Sequence, residues 1–228
     1  MLNTLQVNCP KCGAISPEKV IIYNESLRKQ DFDISPILPT CAVCGSELEF
    51  PPPSAGGRII LLNGTCGSGK SATAEEIVRS HGYIAIDSDC VMQVVKHKLG
   101  AKKVAFDSGE FFEEISKEID ILLLFGKDIV FAKVVLPADV DKYKQLFESK
   151  GLDYKIILLK PDYETAVQRC QTRTCHAKIT PDEWIRYFYD RFYATDGVIE
   201  LNNTGYSIND AVNKIMDLPF TIKNEVSI

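Results

Sequence analysis

The sequence predicts an α/β fold preceded by a small metal-bound ribbon, and three observations carry that reading. Short apolar runs at 59–62, 83–86, 128–136, 154–159 and 197–201 alternate with stretches of helical period, the pattern of a sheet whose strands are joined through helices. The first run breaks at Asn63 into Gly64-Thr65-Cys66-Gly67-Ser68-Gly69-Lys70-Ser71 and resumes as a helix. Ahead of it, Cys9-Pro10-Lys11-Cys12 and Cys41-Ala42-Val43-Cys44 form two Cys-x2-Cys turns, each followed by a glycine.

Length and composition set the frame. At 228 residues the chain exceeds the usual single domain, which suits one main domain and a small appendage. The net charge of −5 argues against a broadly basic nucleic-acid surface. No 18-residue apolar run is present, and Met1 to Val7 lacks the pattern of a signal peptide, so a cytoplasmic protein without a membrane partner is expected. In that compartment eight cysteines point to metal ligation or free thiols rather than disulfides.

Residues 1–50 read as the ribbon. Each Cys-x2-Cys turn puts two thiolates on one side of a tight loop, so Cys9, Cys12, Cys41 and Cys44 complete a tetrahedral set for structural Zn2+. Two redox pairs or free thiols are the alternative. So short a segment has too little core to fold unaided, and the metal would supply the missing stability. Four Lys/Arg against six Asp/Glu over these residues favour a structural or protein-docking module over a phosphate-binding face. Residues 51–57, Pro-Pro-Pro-Ser-Ala-Gly-Gly, read as a linker, stiff and then flexible.

The main domain is placed at 58–218. In its glycine-rich loop the backbone amides of Gly64, Thr65, Cys66, Gly67, Ser68 and Gly69 can turn inward around a polyphosphate, with the following helix aimed at the same anion. Lys70 adds a mobile positive charge, and the Ser71 hydroxyl sits where Mg2+ would bridge the outer phosphates. The helix after the loop runs to Ser80. The second strand delivers Asp87-Ser88-Asp89 at its carboxyl end, the edge where ligands sit in open α/β sheets. Asp87 suits a magnesium-side carboxylate, and Asp89 a base that accepts the proton of an attacking hydroxyl. Asp87 or Ser88 could equally cap the next helix.

A phosphate loop followed by a strand and Asp-x-Asp resembles the P-loop small-molecule kinases of the shikimate, gluconate and adenylate kinase type, over residues 58–217. The resemblance implies a P-loop kinase-like three-layer fold with a five-stranded parallel sheet. It also implies ATP with magnesium as phosphoryl donor, a small-molecule hydroxyl acceptor near Asp89, and an arginine-bearing lid. The glycine triplet that shikimate kinases carry after the third strand is replaced here by Asp128-Ile129-Val130-Phe131-Ala132-Lys133-Val134-Val135-Leu136. Shikimate itself is therefore not the implied substrate. Lys133 could reach an acidic substrate or be a solvated edge residue.

Cys90 to Leu99 and Gly109 to Phe125 read as helices, the second opened by an Asp107-x-x-Glu110 capping box. Met92, His97, Phe106 and Phe111 are candidates for substrate contact or core. A polar helix spans 138–150. Asp162 caps a helix that places Arg169 and Arg173 four residues apart, on one face. A break at 174–180 and a helix opened by Thr180-Pro181-Asp182-Glu183 follow. That order resembles the lid of these kinases, in which Arg169 and Arg173 would neutralise charge on the transferring group. Cys170, Cys175 and His176 lack the spacing of a paired metal knuckle. Trp184, Tyr187, Phe188, Phe192 and Tyr193 read as a packed helix face or a base-stacking surface. After the fifth strand, Asn203 and Thr204 either approach the adenine, as the resemblance implies, or form a simple turn. A closing helix spans 207–217, and 219–228 reads as a tail.

Two rivals stand beside the small-molecule kinase. One is a nucleic-acid end or nucleotide kinase that grips polymer through the ribbon. The other is a regulatory ATPase that uses the ribbon to dock a protein partner.

Overall fold

The computed structural model describes residues 57–100, 108–123, 128–172 and 180–221, together with Cys44. The five strands are β1 (Arg58–Asn63), β2 (Ile84–Asp87), β3 (Ile129–Ala132), β4 (Asp153–Leu159) and β5 (Val198–Leu201). They form one sheet in the order β2-β3-β1-β4-β5, every pair parallel. Parallel strands need crossovers, which are supplied by α1 (Lys70–His81), α2 (Ser88–Leu99), α3 (Gly109–Leu123), α4 (Val140–Ser149) after a 3-10 turn at Pro137–Asp139, α5 (Tyr163–Thr172) and α6 (Asp182–Tyr189), while α7 (Ile208–Asp217) follows β5 and packs back on the sheet.

Both sheet faces are covered, which is why the strands are mostly apolar rather than alternating. On one face Ile59, Leu61, Ile86 and Phe131 pack with Phe111 and Ile115 of α3 and with Tyr143 and Phe147 of α4. On the other, Ile60, Leu62, Ala85 and Val130 pack with Ala74 and Ile77 of α1 and with Val212 and Ile215 of α7.

Several boundaries differ from the sequence reading for identifiable reasons. The third strand was expected through Leu136, yet the ladder ends at Ala132, because its neighbours β2 and β1 stop at Asp87 and Asn63. Ser108 opens α3: its hydroxyl accepts from Phe111 N at 3.3 Å, whereas Asp107 lies outside the described residues. Pro181, with extended backbone, occupies the cap of α6, so that helix starts one residue later than the proline. Gly57 is already packed, its carbonyl accepting from Asp153 N at 3.1 Å, although it was assigned to the linker. The presumed tail begins as structure too, for Thr221 forms an antiparallel bridge with Tyr154. The aromatic set at 184–193 packs only in part: Phe192 is buried and Phe188 half-buried, whereas Trp184 is 54% and Tyr187 45% exposed on α6, and Tyr193, beyond that helix, is 61% exposed.

Two devices lock the sheet. Arg58 grips Asp128 from its main-chain and side-chain nitrogens, at 2.6 Å for the shortest contact, joining the amino ends of β1 and β3. Lys155, buried in β4, donates to the carbonyls of Ile215 at 2.8 Å, Met216 at 3.3 Å and Leu218 at 2.7 Å. It thereby caps the carboxyl end of α7, where a cation complements the helix dipole. Burial pushes its pKa down.

Two buried phenols give the fold an alkaline limit. Desolvation, reinforced by Asp128, pushes Tyr83 up to about 12 from 10.0. Desolvation, with the hydrogen bond to Glu148, does the same to Tyr154, also about 12. Between these values the unfolded chain has lost phenol protons that the folded chain still holds, so stability falls as pH rises from 10 to 12. The urea midpoint is expected to be level from pH 8 to 9.5 and to drop beyond 10. The double variant Tyr83→Phe/Tyr154→Phe should drop less, and an identical slope would show that these phenols are not responsible.

Candidate nucleotide-binding site

The site is built where β1 turns into α1. Asn63, buried at the end of β1, accepts from Gly64 N at 2.7 Å and Val135 N at 2.8 Å and donates to Val135 O at 2.8 Å. One side chain thus ties the start of the loop to the chain beyond β3. Nothing in its sequence context marks this clamp, because its partner lies 72 residues away.

Glycine is required at two places in the loop. Gly64 has φ 139, and a Cβ there would come within 2.4 Å of Leu159 O. Gly67 has φ 76, and a Cβ there would lie 2.1 Å from Ala166 O. Any other residue would push the loop away from β4 and α5 and open the cradle. Lys70 curls back over the loop, donating to Gly64 O and Thr65 O, each at 2.8 Å. Ser71 is exposed in the first turn of α1.

The start of α1 suits an anion. Its cap is Gly69, in left-handed backbone with no side-chain cap bond, and no acidic residue occupies the first turn. The first amides of this twelve-residue helix are therefore aimed outward with the positive end of the dipole.

Asn203, after β5, closes the loop from the other side. Its Nδ2 donates to Ser68 O at 2.9 Å, and its main-chain O accepts from Arg169 Nη2 at 3.2 Å. Arg169 is half-buried beside Gly69, makes no ion pair among the described residues, and has its pKa lowered by desolvation. The adjoining loop is held by Asp162 N donating to Thr204 Oγ1 at 2.7 Å and by Asn202 Nδ2 donating to Asp162 Oδ1 at 3.3 Å. Two buried oxygens, Thr65 Oγ1 and Asn203 Oδ1, have no hydrogen-bond partner among the described residues. Unpaired buried acceptors are costly, and both flank the phosphate loop, so the cradle fits a polar ligand such as a nucleotide.

Asp87 closes β2 and Asp89 lies in the first turn of α2. In register Asp87 faces Ala132, which faces Leu62, so the backbone of Asp87 stands two strands, about 10 Å, from the base of the loop. Cys66 packs against Ala166, Cys170 and Ile185 as a small filler. Lys133, read as a possible solvated edge residue, is instead buried. Arg173, Cys175, His176 and the ribbon cysteines Cys9, Cys12 and Cys41 lie outside the described residues, and Cys44 is an exposed turn residue. Among the described residues no His, Cys, Asp and Glu cluster could hold a metal ion, and no helix is long and apolar enough to cross a membrane.

A family model described as the AAA domain matches residues 59–194. No curated protein matches the chain. Among solved structures, the tunicamycin resistance protein of Deinococcus radiodurans superposes with a TM-score of 0.57 at 13% identity, covering 72% of this chain and 98% of that one. A sugar kinase from Janibacter superposes with a TM-score of 0.54 at 14% identity, covering 70% of this chain and 92% of that one. At these identities the likeness is one of fold.

Proposed function

The chain belongs to the AAA domain family, matched over residues 59–194, and from that premise we propose that it is an ATP-dependent phosphotransferase acting on a small-molecule hydroxyl. The observation that carries this reading is the cradle itself. Glycines that tolerate no Cβ, a lysine folded over their carbonyls and an uncapped helix start meet at the carboxyl edge of a parallel sheet. The sugar kinase fold of the Janibacter protein is consistent with it.

Bound Mg-ATP would supply the γ-phosphoryl group and a metal charge that offsets the negative charge of the phosphates. The amides from Gly64 to Gly69 and the Lys70 ammonium hold the phosphates. Ser71 and Asp87 are the proposed magnesium-side oxygens. Asp89 is assigned to take the acceptor's hydroxyl proton, its carboxylate becoming a carboxylic acid as the oxygen attacks. Arg169 and Arg173 are assigned to the charge that spreads over the transferring group, and Asn203 to the base side. A panel of polyols, sugars, sugar acids, nucleosides and hydroxylated antibiotics, scored for acceptor-stimulated ADP release, tests the assignment. At least one class should raise turnover well above the water rate, and a flat panel would overturn the reading.

A second reading, phosphorylation of polynucleotide ends, is favoured by the exposed aromatic face of α6, where Arg191 lies 3.7 Å over the ring of Tyr187 beside exposed Trp184. Labelled oligonucleotides that bind with strong salt dependence would support it, and salt-independent or absent binding would remove it.

The domain limits 1–50, 51–57, 58–218 and 219–228 stand as part of the proposal, with Gly57, Phe220 and Thr221 in contact with the main domain. Zinc in the ribbon, on Cys9, Cys12, Cys41 and Cys44, is tested by metal analysis of the purified chain. One zinc per chain is expected, lost in Cys9→Ser/Cys41→Ser, and a metal-free parent would refute it.

A further inference from the structure

Two sulfurs meet beneath the phosphate loop. Cys66, inside the loop and half-buried, packs against the cluster that Ala166 and Cys170 of α5 form with Ile185 of α6. Cys170 is fully buried. Gly67, the residue after Cys66, shows how near it lies: a Cβ built there would stand 3.0 Å from Cys170 Sγ. Both residues are thiols. As fillers they act as small apolar side chains, and phosphate binding through main-chain amides asks nothing of either sulfur.

Resting on the nucleotide-binding part of the reading above, we propose that Cys66 is an oxidative modification site: a peroxide oxidises it, Cys170 closes a disulfide onto it, and the bonded loop no longer holds nucleotide. Exposure sets the order, since solvent reaches Cys66 and only Cys66 needs to meet the oxidant. Its sulfur attacks one peroxide oxygen, the O–O bond breaks, and the departing hydroxide takes the thiol proton as water, leaving a sulfenic acid. The Cys170 sulfur then attacks the Cys66 sulfur, the S–O bond breaks, and that hydroxide leaves as a second water with the Cys170 proton. Two thiols have lost two electrons to one peroxide. A disulfide holds its sulfurs about 2.05 Å apart, whereas packed side chains stay about 4 Å apart, so closure draws the loop and α5 together. The loop has no slack in that direction, because Gly67 already lies so close to Ala166 O that no Cβ fits between them. The amides from Gly64 to Gly69 must therefore leave the arrangement that surrounds a polyphosphate, and Lys70, held to Gly64 O and Thr65 O, moves with them. Linkage makes the effect mutual: nucleotide bound to the loop opposes the disulfide by the factor by which the disulfide weakens nucleotide.

The test treats the full reduced chain with hydrogen peroxide, maps disulfide-linked peptides by mass spectrometry and titrates ATP before and after. A peptide pair joining Cys66 to Cys170 should appear, with ATP affinity lower by about 10- to 100-fold, the ordinary range of coupling between two sites. Dithiothreitol should restore the affinity, and a non-hydrolysable ATP analogue added beforehand should suppress the cross-link. Cys170→Ala, when reduced, should bind ATP like the parent. After prolonged peroxide it should lose binding beyond rescue, because a sulfenic acid with no thiol to close on proceeds to sulfinic acid. A cross-link from Cys66 to any other cysteine, or none, overturns the proposal without touching the phosphotransferase reading. So does a Cys66–Cys170 cross-link that leaves ATP affinity unchanged, or a Cys170→Ala chain that dithiothreitol rescues as fully as the parent. If the reduced parent binds no ATP, the phosphotransferase reading fails and this inference fails with it.

Discussion

Lys70→Ala is expected to weaken ATP binding by roughly 100- to 1,000-fold while leaving the melting temperature within a few degrees of the parent. The ammonium holds Gly64 O and Thr65 O at 2.8 Å each and is only half-buried at the mouth of the loop. With nucleotide bound, the same flexible stem would swing its charge from those carbonyls to the phosphates. Charged hydrogen bonds of this kind contribute about 1.5–3 kcal/mol apiece, and losing one or two of them gives that range of affinity. Folding should be nearly indifferent, because α1 is anchored by Ala74 and Ile77 on the sheet and not by Lys70. Calorimetric titration beside a thermal melt separates the two effects. A variant that binds ATP like the parent would show that the loop is a structural turn.

Asp89→Asn is expected to lower kcat by about 100- to 10,000-fold, the usual range for removing a general base, with ATP affinity changed by less than about three-fold. The asymmetry follows from position. Asp89 opens α2, two strands from the loop, whereas the groups proposed to hold phosphate belong to residues 64–71 and to Arg169. Asp87→Asn should behave differently, raising the magnesium concentration needed for half-maximal rate, because its assigned task is the metal. Steady-state kinetics across a magnesium series distinguish the two. If Asp89→Asn keeps more than a tenth of parental turnover, another group takes the proton.

How far the chain could be read in advance depended on whether a feature is local. The glycine loop, the parallel strands and the carboxyl-edge placement of Asp87 and Asp89 were legible because each follows from periodicity or from a few contiguous residues. Features set by distant partners were not. Asn63 finds Val135, Lys155 finds the last carbonyls of α7, and Asn203 finds Ser68 across 135 residues. A buried lysine also defeats simple hydropathy, which is why Lys133 read as a possible edge residue and proved to be enclosed. The aromatics of α6 misled in the opposite direction: their spacing marks a helix face, and among the described residues none buries Trp184 or Tyr187.

The most direct measurement follows the γ-phosphate. With γ-labelled ATP, magnesium and the acceptor that most stimulates ADP release, the label should appear as a phosphate ester in a one-to-one ratio with ADP and almost none as inorganic phosphate. Label recovered only as inorganic phosphate, at a rate no hydroxyl compound changes, would contradict the account and leave a nucleotide hydrolase in its place.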